Sequence, residues 1–168
     1  YRINLILNYT KNIFAPEPEN IGVFLKNCGM IITEYCGGAS GPIWGSAFRS
    51  MAKYAQDREE LNVLEIGELL SEAVEGIQKR GGAKLGDKTL LDALIPAAEA
   101  IKNNYNKEFF LFLKEGAKAA REGAEKTKEI SASKGRASYV GDRSLNHPDA
   151  GAMAIGVIFN SIIENYKY

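Results

Sequence analysis

The apolar positions of this chain fall into helical periods separated by short, polar, glycine-rich interruptions. From Leu64 to Arg80, Ile66, Leu69, Leu70, Ala73, Val74 and Ile77 recur at i, i+3, i+4 and i+7, the spacing of one helix face. Lys79 and Arg80 stand in the last turn, where cations meet unpaired carbonyls, and Gly81-Gly82 ends the run. The same spacing predicts a helix from Glu19 to Tyr35, with Ile21, Phe24, Leu25, Cys28, Ile31, Ile32 and Tyr35 as its face. GGASGP, residues 37–42, then leads into another helix, with Ser40 as its cap and Pro42 in the first turn.

Residues 86–101 place Leu90, Leu91, Leu94, Ala98 and Ile101 on one side, with Asp87 as candidate cap. Pro96 lies inside this stretch, where a lost hydrogen bond and a clash cost about 3 kcal/mol, so a kink or interruption is expected. The helical pattern from Lys107 to about Ser131 is aromatic first, at Phe109, Phe110 and Phe112. It then turns small, at Gly116, Ala117, Ala120, Gly123 and Ala124, which admits a close neighbour. A last helix starts near Asp149, and INLILNYTKNIF at the front gives a weaker first one. Seven helices without period-two runs predict an all-α fold, an antiparallel up-and-down bundle or barrel in a single domain spanning 1–168.

Composition narrows the function. The 168 residues are 45 % hydrophobic, enough for one sizeable core. Lys plus Arg and Asp plus Glu are 21 each, so no broad basic field holds nucleic acid or an anionic membrane, and any anion must be gripped locally. Cys28 and Cys36 form no disulfide framework and read as reduced core thiols. No apolar run approaches the roughly 20 residues of a membrane span, and the first residues lack a secretory leader pattern; a cytoplasmic location is expected. The chain opens at Tyr1 and its first aspartate is Asp57, so it reads as part of a longer polypeptide.

Three loops carry the candidate chemistry: GGASGP, GGAKLGDKT and RASYVGDRSLNHPDAG, each beside a predicted helix start. Helix N-termini offer free N–H groups and partial positive charge, and glycine lets phosphate approach the backbone, so the loops together suit a phosphate cradle; each alone also reads as an ordinary cap. Arg136 and Arg143 flank SYVGD, either to grip phosphate or to pair with Asp142 or Asp149. His147, the only histidine, reads as a packing or ligand contact ahead of a catalytic base. Only Glu17, Glu19 and Glu34 are acidic before Asp57, and they make no metal pair, although nucleotide phosphates normally come with Mg²⁺ on oxygen ligands.

GGASGPIWGSAF, GAKLGDKTLLDALIPA and KGRASYVGDRSLNHPDAGA resemble, in order, the three signature stretches of the L subunit of bacterial dihydroxyacetone kinases. They are similar also to the C-terminal domain of ATP-dependent dihydroxyacetone kinases, and the likeness extends from about Ile21 to the end and includes Pro96. The resemblance implies a helical barrel, of eight helices when complete, with ADP or ATP at one end. By position it implies Gly38, Ala39 and Ser40 at phosphate, and Gly81 and Leu90 against the nucleotide, Leu90 where many relatives have Met. Arg136 would reach the phosphates and stabilise charge during transfer, Pro148, Asp149 and Ala150 would line the pocket, and Asp87 and Thr89 would cap the helix beneath. The stretch His-Pro-Asp-Ala-Gly departs here from the family's His-Gln-Asp-Pro-Gly.

The implied reaction is phosphoryl transfer to dihydroxyacetone held covalently on a K subunit. In the phosphotransferase-dependent form, ADP stays bound as a cofactor and an M subunit rephosphorylates it. The family's Mg²⁺ sits on an aspartate loop, Gly-Asp-x-Asp-His-Gly-x-Asn, where this sequence has only Tyr1-Arg2-Ile3-Asn4, so no metal ligand carries over. The N-terminal helix and metal loop are expected to be missing from this sequence. Two other readings remain open: a non-catalytic adaptor that keeps the bundle, and the nucleotide domain of an ATP-dependent ketose kinase.

Overall fold

The computed structural model describes residues 19–165 apart from Lys107, so the helix expected in INLILNYTKNIF lies outside the described residues. Among the described residues there are six α-helices and no strand: α1 (Ile21–Tyr35), α2 (Ser40–Ala55), α3 (Val63–Gly81), α4 (Leu91–Asn103), α5 (Phe109–Lys126) and α6 (Ala150–Asn165). Two 3₁₀ segments, Thr127–Glu129 and Arg136–Ser144, lie between α5 and α6. The all-α class read from the periodicity is the observed one. The residues form two compact units. One holds the described residues up to Asn62 with Glu72–Gly82, and the other holds Val63–Ser71 and the chain from Ala83 onward.

In the first unit α1 starts at Asn20, whose side chain accepts the Val23 N–H at 2.8 Å. The buried residues of α1 are Gly22, Leu25, Gly29 and Ile31, whereas Phe24, expected on the buried face, is 40 % exposed. The reason is close backbone approach. A Cβ at Gly22 would stand 1.8 Å from the Gln56 carbonyl oxygen, and one at Gly45 of α2 would stand 2.0 Å from Thr33 Oγ1. Small residues rather than large ones thus face the neighbour. Burial raises the pKa of the Cys28 thiol, a free cysteine like Cys36.

In the second unit α4 is buried along most of its surface, with Leu91, Ala93, Leu94, Ala97, Ala98 and Ile101 in the core. Phe112, Ala117, Ala120 and Ala124 of α5 and Ala152, Ile155 and Phe159 of α6 complete it. The small positions expected on α5 do admit a close neighbour. A Cβ at Gly116 would lie 2.7 Å from the Ile101 side chain. Pro96 does not interrupt α4, which runs through it. The missing proline N–H leaves the Asp92 carbonyl without its helical partner, and α5 approaches that oxygen so closely that a Cβ at Gly123 would lie 2.2 Å from it.

Candidate functional site

The loop between α3 and α4 reverses through positive φ at Gly86 (90°) and Lys88 (60°). Its amides are collected by Asp92, in the first turn of α4 and 4 % exposed: Oδ1 accepts Gly86 N–H at 2.6 Å and Oδ2 accepts Thr89 N–H at 2.7 Å. Asp87 therefore does not cap α4 as expected. The reversal turns its carboxylate elsewhere, Oδ2 accepting Lys84 N–H at 2.9 Å and Oδ1 accepting the Ser133 hydroxyl at 2.8 Å. The Lys84 amide, then the Ser133 hydroxyl, hold this carboxyl below its ordinary pKa of 3.8. Thr89 keeps part of the expected role, its Oγ1 accepting Leu91 N–H at 3.2 Å.

Lys88, which the sequence reading passed over, is the hub of this unit. Only 3 % exposed, its Nζ donates to four backbone carbonyls: Thr127 (2.8 Å), Ile130 (3.0 Å), Ser144 (2.6 Å) and His147 (2.8 Å). A lysine between glycine and threonine in a polar loop shows no periodicity that would mark it as buried, so pattern analysis had no signal to find it. A left-handed conformation costs a residue with a Cβ about 1 kcal/mol, which charge-assisted hydrogen bonds offset.

The same network positions the start of α6. The Thr127 hydroxyl, fully buried, donates to the Ala124 carbonyl at 2.6 Å and accepts Asp149 N–H at 2.8 Å. Asp149 Oδ2 in turn accepts Ala152 N–H at 2.8 Å, an N-capping bond at the helix start expected near Asp149. A Cβ at Gly151 would lie 3.0 Å from Asp149 Oδ2 and 3.2 Å from Leu90 Cβ, so Leu90 and the Pro148-Asp149-Ala150 start are brought together. His147 contributes its carbonyl, while its side chain is exposed.

Arg136 opens the 3₁₀ segment, which breaks at Gly141 (φ 54°). It is exposed and, among the described residues, has no hydrogen-bond or ion-pair partner; the pairing with Asp142 or Asp149 open to it and to Arg143 does not form. An unneutralised guanidinium on an exposed loop is available to an anion.

In the first unit, Gly37–Ser40 is exposed and Gly38 has φ 69°. Ser40 does not act as the expected cap: it is the first residue of α2, and Ala39 holds the cap position without a side-chain bond. The amides of Ala39, Ser40 and Gly41 have no acceptor within the helix, which suits them to phosphate oxygens. Gly81 ends α3, and a Cβ there would lie 3.1 Å from Ile43 Cδ1. Gly38, Ala39, Ser40 and Gly81 thus belong to one unit, and Leu90, Arg136, Pro148, Asp149 and Ala150 to the other.

Among the described residues no three His, Cys, Asp or Glu side chains form a group able to hold a metal ion. No helix among them is long and apolar enough to cross a membrane.

Residues 3–164 match the DAK2 domain family. The chain is 36 % identical over 143 residues to the ADP-binding subunit DhaL of the PEP-dependent dihydroxyacetone kinase of Escherichia coli, covering 84 % of this chain and 68 % of that one. It is 34 % identical over 168 residues to the ADP-binding subunit DhaL of the PTS-dependent dihydroxyacetone kinase of Lactococcus lactis, covering 96 % and 78 %. The dihydroxyacetone kinase of C. freundii, solved in complex with AMP-PNP and Mg²⁺, superposes with a TM-score of 0.67 at 26 % identity. That match covers 88 % of this chain, which spans 24 % of the solved one. The chain therefore belongs to the DAK2 domain family, as a relative of the ADP-binding L subunits of dihydroxyacetone kinases, a family of phosphotransferase components.

Proposed function

We propose that the chain is the nucleotide-binding part of a dihydroxyacetone kinase, a single cytoplasmic DAK2-type domain that binds ADP or ATP. It passes a phosphoryl group to dihydroxyacetone carried by a separate K-type subunit. The phosphotransferase-dependent form, with ADP retained and recharged by an M-type subunit, is favoured by the relatives. Those named as PEP-dependent or PTS-dependent ADP-binding subunits are spanned over 68 % and 78 % of their length.

The observation that carries the reading is Arg136, exposed and unpartnered on a loop tied down at both ends. Phosphoryl transfer needs little covalent chemistry from the protein, and its catalysis is positioning plus neutralisation of charge on the phosphoryl oxygens. Arg136 supplies a planar fork of donors for those oxygens, and the amides of Ala39, Ser40 and Gly41 receive phosphate at the start of α2. By the family pattern Gly38 meets phosphate, and Gly81, Leu90, Pro148, Asp149 and Ala150 are nucleotide contacts.

The test is reconstitution of the full-length protein with a K-type subunit, an M-type subunit and dihydroxyacetone. Arg136→Ala is expected to slow transfer on the order of 10²-fold or more with helical content unchanged. Unaltered transfer would remove Arg136 from its role, and a wild-type chain that binds the K-type subunit without transferring phosphate would favour the adaptor reading.

A further inference from the structure

The loop that bears Arg136 is closed by a buried cation. Of the four carbonyls on Lys88 Nζ, Thr127 and Ile130 precede the 3₁₀ segment Arg136–Ser144, while the other two belong to its last residue, Ser144, and to His147 beyond it. One ammonium thus gathers both ends of the excursion. It has three hydrogens for four acceptors, so one bond is shared, and no carboxylate pairs with it among the described residues.

Between those ends little else fixes the loop. A Cβ at Gly135 or Gly141 would meet nothing within 4 Å, and both the amide and the hydroxyl of Ser138 bond back to the Gly135 carbonyl. The remaining ties lie near the same two ends. Ser133 is joined to Asp87, the Ser144 hydroxyl accepts Ala132 N–H at 2.9 Å, and Asn146 N–H donates to the Lys128 carbonyl at 2.8 Å. Arg136 has no side-chain partner of its own, so its place is set by its backbone, and the backbone by its anchors.

We infer that Lys88 is a positioning residue for phosphoryl transfer, the clamp that holds the Arg136 loop in its working shape. The inference rests on the nucleotide-binding reading above. A lysine that merely stabilised the fold would lower activity and global stability together. A clamp loosens one segment and lowers turnover while the helices stay intact.

The experiment compares the full chain with its Lys88→Ala and Lys88→Met variants by amide hydrogen exchange and by reconstituted transfer. In Lys88→Ala, exchange across residues 133–146 is expected to rise about tenfold or more, with protection inside α4 and α5 kept. Turnover should fall by a similar factor and KM should change much less. Alanine retains Cβ, and n-propylammonium has the three carbons and nitrogen that are then missing. Adding it should restore slow exchange and turnover in Lys88→Ala but not in Lys88→Met, where the stem's space is filled. Unchanged exchange over 133–146, or matched loss of turnover and global stability without rescue, would overturn the inference. If Lys88→Ala does not fold, Lys88→Met decides it: faster exchange confined to 133–146 supports the clamp, and uniform loss of protection overturns it. Calorimetry of the wild type with ADP separates the two failures. Absence of ADP binding refutes the nucleotide reading, while the exchange result still judges the clamp.

Discussion

Thr127→Val removes one oxygen from the centre of the second unit. Thr127 is fully buried, and its hydroxyl links the end of α5 to the start of α6, donating to Ala124 and accepting Asp149 N–H. Valine fills the same volume, so no cavity forms. The Ala124 carbonyl keeps the Thr127 backbone N–H, but the Asp149 N–H loses its acceptor. A lost hydrogen bond costs about 1 kcal/mol net and a buried donor left unsatisfied about 1–3 kcal/mol, so roughly 2–4 kcal/mol is expected. For a chain of this size that lowers Tm by roughly 5–12 °C. Thermal unfolding followed by circular dichroism reads it, with Thr127→Ser as control: serine keeps the hydroxyl and loses one methyl, about 1 kcal/mol. A valine variant as stable as the serine variant would refute the hydroxyl's linking role.

Two further outcomes test the packing and the loop. Gly123→Ala should destabilise by about 1–3 kcal/mol in urea unfolding, although alanine favours a helix, because its Cβ would press on the Asp92 carbonyl oxygen at 2.2 Å; a more stable variant would contradict the close approach. The Asp87 carboxyl has its pKa depressed below 3.8 in the folded chain, so its contribution is present above that pH and lost as pH falls through the lower folded value. The stability gap between wild type and Asp87→Asn should therefore shrink as pH drops below about 3.8, and a gap independent of pH would refute it.

Helices were legible wherever large apolar residues set the period. Leu64–Arg80 was read within a residue of the observed Val63–Gly81, down to the cations and glycine at its end. The reading failed where contact is made by what has no hydrophobicity. Gly22 and Gly29 face inward on α1 while Phe24 is exposed, since the space a glycine leaves shows only once its neighbour is in place. Pro96 predicts a kink or an interruption, and α4 runs through it without interruption. At the candidate site the start of the last helix near Asp149 was legible, and α6 begins at Ala150. Lys88 was not, because its partners lie 39 to 59 residues away. Asp87 does not take the capping role expected of it because left-handed turns at Gly86 and Lys88 re-aim the loop.

The central claim, that this chain binds a nucleoside diphosphate, is tested most directly by calorimetric titration of the full-length protein with ADP in the presence of Mg²⁺. Saturable binding at one ADP per chain is expected, weakened in Arg136→Ala. No binding heat at millimolar ADP, from a protein whose circular dichroism shows it folded, would contradict it.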